Sequence, residues 1–216
     1  MFAFVVFSLA ATATVEPLLP RYADVRIGIQ MVRVPFPDGF CLPTGQQAAN
    51  TQVLAKADTS NVTHLYLVVC DVAANETSDY LMMQTPVGAL TLDKSRAEFL
   101  NWLGQGLPNG QAPITIDNKT ISGAVSEQLS NLADEPVTVD SALALRSRDD
   151  VCVYMGGTAT TTIGDTAVTQ SVSGCASVAG RRPFNLFAYS NSKNPSGYKA
   201  LQPMLRRWAL SIRQIK

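Results

Sequence analysis

Val151-Cys152-Val153-Tyr154-Met155, the run from Ala167 to Val178, and Phe184-Asn185-Leu186-Phe187-Ala188-Tyr189 decide the fold of this chain. Each has strand length and is rich in β-branched or aromatic residues, which suit a pleated surface better than a helix. Turn residues separate them at Gly156-Gly157, Gly164-Asp165 and Gly180. Three consecutive antiparallel strands are therefore expected, with Gly156 to Thr160 as a hairpin loop.

Working outward, the C-terminal stretch from Pro195 to Lys216 predicts a helix. Leu201, Leu205, Trp208, Ile212 and Ile215 fall on one face at steps of three or four, and the basic residues fall elsewhere. Pro203 suits a first turn, which would start the helix proper near Leu201. Upstream, Leu143 and Leu145 share a face of another strand, and Ile121, Val125, Leu129 and Leu132 mark a helix ended by Pro136. Ser95 with Glu98, and Thr44 with Gln47, match the capping-box pattern and place helices from about residue 95 to Gly104 and from about 45 to Ala57. Leu65 to Cys70 is nearly all apolar, as in a strand covered on both faces, and should pair with Tyr80 to Thr85. Val25 to Val34 reads as a first strand, closed by Pro35-Phe36-Pro37-Asp38-Gly39. The order predicts an α+β protein, an antiparallel sheet of about six to seven strands flanked by helices as an α/β/α sandwich.

The 216 residues carry 17 Lys/Arg and 17 Asp/Glu, and 46% are hydrophobic, so a packed core is expected and a nucleic-acid partner is not. Charge is nevertheless uneven: Arg181 to Lys216 holds eight cations and no acid. At the other end, Phe2 to Ala10 is apolar but too short to span a bilayer, and Ala11-Thr12-Ala13 is a small-x-small cleavage pattern. Residues 1–13 are thus expected to be a signal peptide shortened at its N-terminus, and 14–216 a single α+β domain. The competing reading is a buried N-terminal strand.

Four cysteines suit an oxidising compartment and allow three pairings. Cys152 with Cys175 is favoured, because a hairpin at Gly164-Asp165 sets their strands side by side. A strict two-residue turn would put Cys175 opposite Tyr154, so that pairing is expected to need a bulge or a longer loop. Cys41 with Cys70 remains, tying the first helix to the end of the second strand. Four buried thiols are the alternative.

The chemistry on offer is sparse. His64 is the lone histidine, at the head of an apolar strand, so a multi-imidazole metal site is excluded. No Gly-x-Ser-x-Gly elbow accompanies it, and a structural role is expected. Gly156-Gly157-Thr158 lacks the Gly-Lys-Ser/Thr ending of a phosphate loop. Asp134-Glu135 and Asp149-Asp150 read as solvated turn acids with diverging side chains, and Asn61, Asn75 and Asn118 are bare Asn-x-Ser/Thr patterns. No cofactor is implied.

Val34-Pro35-Phe36-Pro37-Asp38-Gly39-Phe40-Cys41, a cysteine closing an apolar strand at Cys70, and a final strand with a Trp-bearing helix resemble a set of secreted bacterial proteins of unknown function, similar in turn to the PsbP-like sandwich. The likeness spans most of the chain in element order, and residue by residue it rests on Pro37-Asp38-Gly39-Phe40-Cys41. It implies a fold and carries over no catalytic residue.

These observations together predict a secreted or periplasmic, non-enzymatic binding or assembly-accessory protein. Its expected contact face is Arg181, Arg182, Arg206, Arg207, Trp208 and Arg213, meeting an unidentified protein or an anionic membrane surface. The bland alternative is a solvated helix complementing the acidic remainder of the chain. A small secreted hydrolase with a carboxylate or hydroxyl site is the other class, recognisable by a pocket with two convergent titratable side chains.

Overall fold

The computed structural model describes residues 21–70, 79–105, 107, 114–115, 122–123, 126–127, 129–131, 135–191, 194 and 196–215. The expected signal peptide lies outside them, as do Asn75, Asn118, Asp134 and three members of the 121–132 stripe.

Two antiparallel sheets form the body. The small one holds β1 (Tyr22–Ile27), β2 (Gln30–Pro35) and β11 (Arg213–Gln214), in the order β1-β2-β11. The single N-terminal strand expected from Val25 to Val34 is therefore a hairpin. Ile27 pairs with Gln30, and Gly28, at φ 58°, takes the left-handed first position of the two-residue turn. The hairpin strands bury one side only: Val25, Ile27, Val32 and Val34.

The large sheet has eight strands, more than the six to seven expected. These are β3 (Phe40–Cys41), β4 (Asn61–Val69), β5 (Tyr80–Pro86), β6 (Ile114–Thr115), β7 (Val137–Arg148), β8 (Val153–Ile163), β9 (Thr166–Ala179) and β10 (Arg182–Ser190), in the order β3-β4-β5-β10-β9-β8-β7-β6. The excess comes from the two-residue edge strands β3 and β6. β8 and β9 join through Gly164-Asp165 without a register shift, from Ile163 opposite Thr166 to Val153 opposite Ala176.

Gly156-Gly157 does not form the expected loop; it lies inside β8. A Cβ on Gly156 would come within 2.2 Å of the Tyr198 ring, and one on Gly157 within 1.8 Å of the Ala142 carbonyl oxygen. The glycines serve close approach there, and the strand continues through them.

Both disulfides form, Cys41–Cys70 and Cys152–Cys175. Tyr154 does stand opposite Cys175, the strict register, yet no bulge is needed. Cys152 lies just outside β8, where the Asp149 carboxylate accepts from the Val151 and Cys152 amides, each at 2.8 Å. That turn brings the two Cα atoms to 5.2 Å, within bridging range.

Helices cover both faces of the large sheet. α1 (Gly45–Ala57) begins at Thr44 without the expected side-chain cap, whereas α2 (Arg96–Gly104) has the full capping box of Ser95 and Glu98. α2 sets Phe99 and Leu100 against Val153, Ala176 and Val178. α3 (Tyr198–Ser211) starts three residues before the expected Leu201, with Pro203 inside it. Its Leu205, Trp208 and Ala209, with Ile212 just beyond, join Tyr154, Cys175, Phe184 and Leu186 and the inner side of the small sheet in the main core.

The described residues of 122–131 are helical and meet β7 through serines four apart. Ser126 Oγ accepts from the Val139 amide at 2.7 Å and Ser130 Oγ from the Val137 amide at 2.8 Å. Hydroxyls thereby occupy strand N–H groups that an open edge would leave unpaired.

Candidate functional site

The expected contact face separates into structural cations and surface cations. Trp208 is 3% exposed, and its indole N–H donates to the Pro35 carbonyl at 2.8 Å, so it holds α3 to the small sheet. Arg182 is buried and donates to the Leu92 carbonyl at 2.8 Å. Neither presents itself to a partner. Arg181, in the two-residue turn between β9 and β10 at φ 65°, is exposed but pairs with Asp93.

Arg206 is also engaged. Its Nε donates to Asp149 Oδ2 at 3.0 Å and its Nη2 to Asp150 Oδ1 at 2.9 Å. The two carboxylates expected to diverge into solvent converge on one guanidinium instead, because the turn at 149–152 folds them toward α3. The Tyr154 hydroxyl donates to Asp149 Oδ2 at 2.8 Å as well. Burial alone would raise the Asp149 pKa, but the Cys152 and Val151 amides, Tyr154 and Arg206 outweigh it and hold the carboxyl below its usual range. The cluster is a clamp between α3 and the start of β8.

Arg207 and Arg213 remain. Both are exposed, and neither has an ion-pair partner among the described residues. Arg213 lies on β11, not on the expected helix, and stands directly opposite Arg33. The outward side of the small sheet therefore carries Tyr22, Asp24 and Arg26 from β1, Arg33 from β2 and Arg213 from β11. Arg33 donates to both Asp24 oxygens at 2.8 Å, and its guanidinium carbon lies 4.1 Å from the Tyr22 ring centroid. Three guanidinium groups thus share a surface with one carboxylate. At the hairpin tip Ile29 is 80% exposed.

Read as one strand, Val25 to Val34 mixes the parities of the hairpin's two arms and hides the shared side of Arg26 and Arg33. Splitting at Gly28 reveals Tyr22-Asp24-Arg26 alternating with Val25 and Ile27.

A second concavity, of about 350 Å³, lies between α1 and the sheet. Its apolar wall is Leu54, Tyr66, Val68, Tyr80, Ile163 and Val168, and its polar lining is Gln47, Asn50, Thr51, Thr161, Thr166 and Gln170. No described residue of the lining is charged. Beside it, Tyr66, Tyr80 and Tyr189 stack in a column with centroids 4.9 and 4.3 Å apart. Burial raises the pKa of all three phenols, that of Tyr189 to about 12.

His64 lies apart from both places. Its Nε2 is 2.9 Å from Thr85 Oγ1, which donates to the Pro183 carbonyl at 3.2 Å. With the hydroxyl proton directed there, Nε2 must be the donor to Thr85. Burial lowers the imidazole pKa from 6.5 to about 4, so the ring is neutral and ties β4 to β5.

No family model and no curated protein matches the chain. Among solved structures it is similar to the solution structure of cyanobacterial PsbP (CyanoP) from Synechocystis sp. PCC 6803, at 11% identity and a TM-score of 0.41, over 96% of this chain and 99% of that one. The α+β sandwich itself is read from the strand pairing above. Two disulfides fit an extracytoplasmic compartment. No described helix is long and apolar enough to cross a membrane.

Proposed function

We propose that this is a secreted or periplasmic, non-enzymatic binding or assembly-accessory protein that meets an anionic surface through the outer side of the small sheet. The observation that carries the reading is Arg213 directly opposite Arg33, with Arg26 on the same side and only Asp24 to offset them. Like charges in directly opposed positions of a sheet repel, and an external anion would relieve that cost. Arg207 adds exposed positive charge nearby in sequence, and Ile29 offers an apolar point at the hairpin tip. The hydrolase alternative gains no support from the groove, whose described lining residues carry no carboxylate, imidazole or thiol.

Co-sedimentation with vesicles of neutral phosphatidylcholine, with and without phosphatidylglycerol, tests the reading. The protein should bind only the anionic vesicles and should release as salt rises, because screening weakens exposed charge contacts. Reversing Arg26, Arg207 and Arg213 together to Glu should abolish binding with the thermal midpoint nearly unchanged, since all three are exposed. Binding that survives the reversal would exclude this face.

A further inference from the structure

We infer that the groove beneath α1 is a binding site for an uncharged, amphipathic small molecule, independent of the basic face. The helix itself is the first observation. None of the described side chains of α1 is buried, and Val53 and Leu54 are 41% and 42% exposed. A helix laid on a sheet ordinarily buries an apolar stripe. α1 instead leaves a space of about 350 Å³, a size that suits a small ligand.

The lining specifies the ligand class. Leu54, Tyr66, Val68, Tyr80, Ile163 and Val168 give it an apolar wall, which rewards aliphatic or aromatic surface. Amides and hydroxyls complete it, and among the described residues Gln47, Thr161 and Thr166 spend no side-chain hydrogen bond on the protein. They can both donate and accept toward hydroxyl, ether or amide groups. Charge is absent from every described lining residue, and burial pushes the Tyr66 and Tyr80 phenols up, so they remain neutral. An ion entering would lose its hydration without finding a counter-charge. A neutral molecule with one apolar and one hydrogen-bonding side meets no such penalty.

The disulfide gives the site a fixed margin. Cys41–Cys70 binds the segment leading into α1 to the end of β4, so the N-terminal approach of the helix is tethered beside the groove.

The neutral probe N-phenyl-1-naphthylamine tests the assignment by fluorescence titration of the whole chain, alongside the anionic 8-anilinonaphthalene-1-sulfonate. The neutral probe should bind saturably at one site and at least tenfold more tightly than the anion. Val68→Lys puts an ammonium group into the wall, and Thr51→Trp fills the space from α1 without disturbing the strand. Each should weaken probe binding at least tenfold, whereas Val53→Lys, outside the lining, should leave it unchanged. If Val68→Lys fails to fold, Thr51→Trp decides. Absence of saturable binding, equal binding of the anion, or full binding by Thr51→Trp would overturn the assignment. So would binding that appears only after residues 71–78 are replaced by a Gly-Ser linker, which would make the chain itself the occupant. Probe binding that falls with protein concentration as a dimer forms would likewise assign the groove to a second copy.

Discussion

α3 and α1 lie on opposite faces of one sheet and are held in opposite ways. α3 drives Leu205, Trp208 and Ala209 into the main core, fixes its indole to Pro35 and clamps Arg206 to Asp149 and Asp150. α1 buries none of its described side chains and stands over a groove. The helix with the more suggestive composition, Arg and Trp together, devotes most of those residues to structure. The plainer one leaves room. An aromatic and a cation near each other in sequence therefore say little about a contact surface until their burial is known, since both are equally useful as anchors.

The largest effect should come from breaking the tighter side. Trp208→Ala removes a buried aromatic from the core and strands the Pro35 carbonyl, which should cost about 3–5 kcal/mol. Chemical denaturation of the oxidised protein measures it. A loss below about 1 kcal/mol would mean that α3 is not docked as described.

Acid should next separate two buried hydrogen-bond clusters. His64, in β4 and bonded to Thr85 of β5, has a folded pKa of about 4 against 6.5 when exposed. The unfolded chain thus binds the extra proton between those values, so stability is full above pH 6.5 and falls as pH drops toward 4. The loss should be roughly 2–3 kcal/mol, and His64→Gln should flatten that part of the profile. Asp149 behaves differently, because its folded pKa lies below the usual 3.8. The stability it confers is present above 3.8 and disappears only as pH falls through that lower value. Stability measured from pH 7 to 3 in both proteins checks the order. A wild-type profile that is flat between 6.5 and 4 would remove His64 from the account.

What the sequence revealed follows the same division. Strands such as β4 and β10 were legible from their apolar, β-branched and aromatic content at strand length, and α3 from apolar residues at steps of three or four, the period that burying one helix face imposes. The Ser95–Glu98 cap was legible because it is local, yet Thr44–Gln47 has the same pattern and makes no such bond. Pairing of Cys152 with Cys175 followed from which strands are neighbours and left Cys41 to Cys70, but the turn of 149–152 that makes the first of these bridges possible did not. Such geometry depends on Asp149 reaching two amides at once. Gly156-Gly157 misled because glycine marks a turn and a close approach alike, and only the Tyr198 ring, some forty residues on, distinguishes them. The serines of 122–131 were invisible for a related reason: a hydroxyl spaced every four residues looks solvated until a strand edge lies against it. The basic side of the small sheet and the groove are assembled from residues far apart in the chain, and no local period announces either.

The smallest effect should be the one that sharpens the contrast most. Leu54→Ala removes as many carbons as a core truncation would, but from a side chain that is 42% exposed and borders the groove. Little apolar area returns to water on unfolding, so the change should stay within about 0.5 kcal/mol, against about 2–5 kcal/mol for the same substitution at fully buried Leu205. Amide exchange extends the comparison without mutation. The α3 amides should open only with global unfolding, while those of α1 should exchange through local opening, because few buried contacts hold that helix down. Equal protection of the two helices would mean that α1 is fixed by contacts its burial pattern does not display. In that case the groove would be a rigid cleft, and a ligand would enter it without moving the helix above.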